Sequence, residues 1–316
     1  MSARPSAWPA LPYVEWQDTC ATLHRWTQIV GKVRLAATPW HIHSWHATLY
    51  LTGRGLTTSP VYVDGSAFQI DFDFIAHKLE IRTATGERRE LALEPQSVAD
   101  FYAALMQALE SLELRIAIHG RPNEVPDPIA FAQDHVHAAY DADSANRFWR
   151  VLSETDRILK LFRTGFLGKS SPVHFFWGSF DLAVTRFSGR PAPPHPGGIP
   201  NLPDGVTREA YSHEVSSAGF WPGGGPTDYA AFYSYAYPMP EAYSQVTVSP
   251  AEAFFSETAG EFILPYDVVR TSQDPERTLL EFLQSTYEAA ADTGAWKREP
   301  LECPLGKPRI PRIPGE

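Results

Sequence analysis

Val61-Tyr62-Val63-Asp64-Gly65, followed by Phe68-Gln69-Ile70-Asp71-Phe72-Asp73-Phe74, is the stretch that decides the fold. Asp-Gly between apolar runs marks a tight hairpin, because its central residues need left-handed conformations that glycine and aspartate tolerate. Phe68, Ile70, Phe72 and Phe74 alternate with Gln69, Asp71 and Asp73, so one face of the strand meets a core and the other meets water. Lys78 to Thr83 and Arg89 to Leu93 flank Thr85-Gly86 as another hairpin, and His46 to Thr52 reads as a further strand turned by Gly53 to Gly55. An antiparallel sheet joined by short turns follows.

Helices bracket it. Trp16, Leu23, Trp26, Val30 and Val33 recur at helical spacing and predict an amphipathic helix from about Glu15 to Ala36. Ser97 with Asp100 resembles a capping box opening a helix striped by Val98, Phe101, Leu105, Leu109 and Leu112. Beyond the proline-bearing stretch Pro122 to Pro128, a long helix begins near Asp143 with Phe148, Leu152, Leu159 and Phe162 on one face. Strand-like tracts follow at Pro172 to Phe187, Ala210 to Trp221, Tyr229 to Tyr237 and Glu261 to Val269. Asp274 and Pro275 then cap and start a last helix, which ends near Gly294. The fold class is therefore α+β, antiparallel sheets flanked by helices. The element order reads twice as helix, sheet, helix, without residue-by-residue self-similarity. The expected organisation is an N-terminal half at 1–121, a connector at 122–142, a C-terminal half at 143–296 and an extended, mobile tail at 297–316.

Composition narrows the function classes. The chain has 316 residues, 43% of them hydrophobic and 13% aromatic, enough for a substantial core. Its formal net charge of -10 opposes binding to nucleic acid or anionic lipid. Only two cysteines occur, Cys20 and Cys303, which exclude a disulfide framework and a cysteine-based zinc site. Met1 to Ala10 has no basic start followed by an apolar run, and no apolar stretch is long enough to span a bilayer. A cytoplasmic address is the expectation. Gly165-Phe166-Leu167-Gly168-Lys169-Ser170 superficially resembles a phosphate-binding loop, but Arg163 stands where that pattern needs glycine and a helix precedes it, so no nucleotide cofactor is expected.

Histidines and aromatics carry the candidate chemistry. His41-Ile42-His43-Ser44-Trp45-His46 is the densest imidazole cluster, although in an extended strand His46 would point away from His41 and His43. Ser171 to Asp181 is apolar on both parities, which makes His174 and Asp181 polar islands. Read as one strand, the tract turns His174 and Asp181 to opposite faces unless Gly178 supports a bulge, and puts Arg186 on the His174 face, where it could hold an anionic substrate group or a structural carboxylate. Tyr211-Ser212-His213-Glu214 sets an imidazole beside a carboxylate. Gly219-Phe220-Trp221-Pro222-Gly223-Gly224-Gly225 suits either a pocket lid or an anchored hairpin connection, and Tyr233, Tyr235 and Tyr237 form a tyrosine wall.

Trp8-Pro9-Ala10-Leu11-Pro12-Tyr13, Gly31-Lys32-Val33-Arg34-Leu35, Ser44-Trp45-His46, Arg54 to Pro60, Ser171 to Arg190 and Ala210 to Glu214 together resemble one mostly bacterial family, the domain-of-unknown-function family five-nine-nine-six. The resemblance covers nearly the whole chain and implies a single full-length unit. It brings no reaction, cofactor or catalytic residue with it. The landmarks include His43, His46, His174, His213 and Glu214 and leave His41 outside.

The leading expectation is a metal-dependent enzyme acting on a small organic molecule. His174, His213, His43 and His46 would hold a divalent metal, zinc or iron. Glu214, Arg186 and Asp181 would be catalytic, and Trp45, Trp177, Trp221, Tyr211 and Tyr235 would contact substrate. A non-catalytic small-ligand binder and a structural or interaction protein are the alternatives. Oligomeric state is beyond the sequence.

Overall fold

The computed structural model describes residues 7–224 and 227–312. Residues 1–6 of the N-terminus, Gly225 at the end of the glycine-rich loop and residues 313–316 of the tail lie outside the described residues. The architecture is α+β, with helices flanking antiparallel sheets.

Helix α1 (Tyr13–Ala37) is followed by a 3-10 turn at Ile42–Ser44 and the first sheet. That sheet comprises β1 (Tyr50–Leu51), β2 (Gly55–Thr57), β3 (Val61–Val63), β4 (Ser66–Asp73), β5 (Lys78–Thr83) and β6 (Arg88–Ala92), ordered β1-β2-β4-β5-β6 with β3 also on β4. The Asp64-Gly65 and Thr85-Gly86 hairpins form as their composition predicts, and Phe68, Ile70 and Phe72 of β4 are buried. Helix α2 (Val98–Ser111) starts where Ser97 accepts a hydrogen bond from the Asp100 N–H.

Helix α3 (Ala142–Arg163) opens the second half. Next come β7 (His174–Phe176), β8 (Asp181–Pro191), α4 (Asp204–Ala210), β9 (His213–Trp221), β10 (Ala231–Tyr237), β11 (Phe254–Ser256), β12 (Glu261–Pro265), α5 (Tyr266–Thr271) and α6 (Pro275–Thr293). The second sheet runs β11-β12-β10-β9-β8-β7. Asp274 caps α6 by accepting from the Arg277 N–H.

Among the described residues, one isolated bridge joins the two sheets. Leu49 and Phe175 exchange both backbone hydrogen bonds, at 3.0 and 2.9 Å, just before β1 and within β7. One continuous core spans both halves and includes Trp26, Phe101, Phe148 and Phe175.

Three expectations change. His46 to Thr52 is not one strand, because His43 and Ser44 both take left-handed backbone conformations and curl the chain into a turn, after which Leu49 bridges to Phe175 and Tyr50–Leu51 form β1. Pro172 to Phe187 is a hairpin, since Trp177 to Phe180 reverse the chain between β7 and β8. The tail, expected to be extended and mobile, is docked over its described part: Leu167 N–H donates to Leu301 O at 2.7 Å, and Gly306 N–H to Thr164 Oγ1 at 2.8 Å. No helix among the described residues is long and apolar enough to cross a membrane.

Candidate functional site

A cavity of about 730 Å³ lies on one face of the second sheet. Its floor is set by strand alternation. On β8, Asp181, Ala183, Thr185 and Phe187 turn toward it, and their neighbours Gly219, Ser217 and Val215 on β9 continue the same rows. Tyr233 and Tyr235 of β10 extend the floor, opposite Gly219 and Ser217. The facing wall comes from α1 and the segment 40–47, with Trp40, Trp45 and His46. The connector residues Asn123 and Glu124, and Leu202 to Tyr211 around α4, close the sides.

The inner end is polar. Asp181 is buried and accepts hydrogen bonds from Ser179 Oγ and the Tyr233 hydroxyl. Burial raises its pKa, opposed by those two donors. Glu124 stands beside it. Burial first, and repulsion from Asp181 second, push the Glu124 carboxyl up to about 7, against the attraction of Lys32. Lys32 is brought down to about 8 by burial, opposed by Glu124. Its ammonium donates to Asn123 Oδ1 and lies 5.3 Å from the Trp177 ring centre. Glu261, at the start of β12, is likewise raised to about 7 by burial and by Asp181. The Tyr211 and Tyr235 hydroxyls are 2.8 Å apart on the floor.

Helix α1 holds this end in place. His24, Gln28 and Lys32 recur every four residues and therefore share one helix face. His24 Nε2 is 2.7 Å from Gly178 O and donates to it, which fixes the hairpin turn. The Gln28 amide takes both backbone groups of Asn123, donating to its O at 2.9 Å and accepting from its N–H at 2.8 Å. Glu124 is missed by the sequence reading because nothing in the connector marks it. The polar residues His24, Gln28 and Lys32, spaced four apart among the buried residues of α1, were the available signal.

Of the residues expected at a site, Asp181, His43, His46, Trp45, Trp177, Tyr211 and Tyr235 line the cavity. The others do not. Arg186 is buried on the opposite face, its guanidinium 3.5 Å from the Phe162 ring centre and 4.4 Å from that of Tyr287, donating to Phe162 O at 2.5 Å. Glu214 accepts from Ser188 Oγ and from Arg190 Nε, both at 2.8 Å. Trp221 ends β9, paired with Ala231. His213 sits 5.8 Å from His43 by ring centres and hydrogen-bonds Ser212 Oγ at 3.1 Å.

His174 pairs with Ala183 and so faces the cavity side of the sheet, the same side as Asp181. Counting parity through what is really a turn reversed its relation to both Asp181 and Arg186. It does not reach the cavity, because Trp45, Tyr50 and Phe176 enclose its ring at 5.8, 5.5 and 5.5 Å. It is fully buried with neither ring nitrogen hydrogen-bonded, and burial, reinforced by Arg34, lowers it to about 3. His43 is lowered to about 4, chiefly by burial, with Nδ1 donating to Ala210 O at 2.7 Å and Nε2 accepting from Lys169 at 2.6 Å. His46 Nδ1 meets the backbone N–H of His41 at 3.1 Å. Among the described residues no three His, Cys, Asp or Glu side chains are grouped to hold a metal ion, so the four expected ligands do not converge.

The chain belongs to the family of unknown function DUF5996, whose model matches residues 8–303. No curated protein and no solved structure matches it.

Proposed function

We propose that the protein binds a small organic molecule in this cavity and transfers a proton to or from it, with Glu124 and Asp181 as the exchanging groups. The observation that carries the reading is the meeting of those carboxyls at the inner end of an aromatic-lined cavity of about 730 Å³. That volume suits a metabolite-sized ligand. A carboxyl held at about 7 exists in both protonation states at neutral pH, which is what a general acid or base requires. Asp181, fixed by Ser179 and Tyr233, is the better oriented of the pair. The rings of Trp45, Trp177 and Tyr235 exclude water from the apolar part of the ligand. The separation of the expected histidine ligands gives a zinc- or iron-dependent reaction less support than proton transfer.

The test is a thermal-shift screen of a metabolite collection, with hits incubated and analysed by mass spectrometry. Hits should vanish in Ala183→Phe, which fills the cavity floor, and their conversion should vanish in Glu124→Gln. Hits that persist in Ala183→Phe overturn the site. Conversion unchanged in Glu124→Gln overturns the chemistry. Binding without any conversion makes the protein a binder instead.

A further inference from the structure

The inner end of the cavity holds more acidic than basic side chains. Asp181 and Glu124 line it, and Glu261 is near enough to Asp181 to feel its charge. Lys32 is the basic side chain lining the same cavity. Its ammonium is engaged by Asn123 Oδ1 and the Trp177 ring, and no carboxylate among the described residues lies within ion-pair distance of it. Asp181 has two donors. Glu124 has none: among the described residues its carboxyl is influenced through space by Asp181 and Lys32 and accepts no hydrogen bond. Glu124 is only partly buried, so a ligand that fills the cavity displaces water from its carboxyl and leaves it costly unless the ligand itself supplies a donor. Glu124 lines the cavity, so a ligand is placed to supply it.

Accepting that the cavity is a ligand site, we propose that its ligand is an organic amine, whose ammonium group seats between Glu124 and Asp181 and whose body is apolar or aromatic. An anionic group would meet repulsion there, and a neutral hydroxyl would satisfy one oxygen without offsetting charge. An ammonium does both. The rings of Trp177, Tyr233 and Tyr235 surround the same end and offer cation-binding faces to a desolvated ammonium. The apolar floor beyond, Ala183 and Val215, accepts the rest of the molecule.

Calorimetric titration at pH 7.5 tests this with matched probes: tyramine and 2-phenylethylamine, their neutral counterparts tyrosol and 2-phenylethanol, and 3-phenylpropionate. The amines should bind roughly tenfold more tightly than the alcohols, the difference that one favourable charge contact of ordinary size gives. The acid should bind least. Glu124→Gln and Asp181→Asn should shrink the amine preference while retaining alcohol binding. Lys32→Met should strengthen amine binding, a direction that loss of stability would not produce. Alcohols binding as tightly as amines, or Lys32→Met weakening amine binding in a protein that still takes the alcohols, overturns the amine assignment and leaves the pocket standing. No binding by any probe overturns both.

Discussion

The carboxyl of Glu124 rests on the Cα of Gly178, so closely that a Cβ at residue 178 would collide with Glu124 Oε1. The absence of a side chain at residue 178 thus leaves room for the Glu124 carboxyl against the β7–β8 turn.

Gly178→Ala should therefore displace the Glu124 carboxyl and destabilise the fold by up to about 1 kcal/mol, at the low end of overpacking costs because the displaced atoms end a flexible side chain. Adding Glu124→Ala should recover most of the loss, because the colliding group is gone. Urea denaturation of both single variants and the double variant measures the coupling, and simple additivity would contradict the contact.

The stability contributed by Glu124 and Glu261 should fall as pH rises toward neutrality. Glu124 and Glu261 have folded values of about 7, above their ordinary range. Each contributes stability that is fully present below its unfolded pKa and is lost as pH rises toward about 7. The thermal-midpoint difference between the wild type and Glu124→Gln should turn against the wild type as pH rises from 5 to 8, while His43 and His174, lowered to about 4 and 3, make both proteins gain stability up to about pH 6.5. Lys32 acts in another window: lowered to about 8, it costs stability as pH falls from about 10.5 through 8, so it does not mask the trend.

His174→Leu should be neutral or stabilising at pH 7, by up to about 1 kcal/mol, since it replaces two unpaired buried nitrogens with carbon of similar bulk. It should also flatten acid unfolding. His174 is lowered to about 3, so its contribution is present above its unfolded value near 6.5 and lost as pH falls toward about 3. A large loss of stability at pH 7 would show that His174 has a partner after all.

Arg186→Lys should cost about 2–4 kcal/mol, because lysine cannot reproduce a planar cation packed among Phe162, Phe166 and Tyr287. Ligand binding by the folded fraction should be unchanged. Loss of binding without loss of stability would return Arg186 to the site.

Hairpins and helix starts were legible because their signals are local: Asp64-Gly65, the Ser97 and Asp274 caps, and the alternation of β4. The candidate site was legible only in part. Periodicity identified the tyrosines of β10, and Asp181 stood out as a polar residue in an apolar tract. Parity then failed across Trp177 to Phe180, because Gly178-Ser179 inside an apolar tract reads equally as a bulge within one strand or as a turn between two. The left-handed pair His43 and Ser44 has no composition that announces it. Glu124 could not be found locally, since its neighbours Gly178, Asp181 and Lys32 come from segments more than fifty residues away in the chain. Only the approach of those segments gives it a role.

The bridge between Leu49 and Phe175 also sets a dimension. The wall segment 40–47 leads straight into Leu49, while Phe175 belongs to the strand beside the cavity floor, and Trp177 Nε1 donates to Ala47 O at 2.5 Å just next to it. These contacts, with those of His43 to Ala210 and Lys169, fix the wall against the floor, and lengthening Ala47 to Leu49 by one residue would shift the wall where it joins the sheet. Among related chains, the size of molecule admitted should track the length of that short joint more closely than the residues lining the cavity.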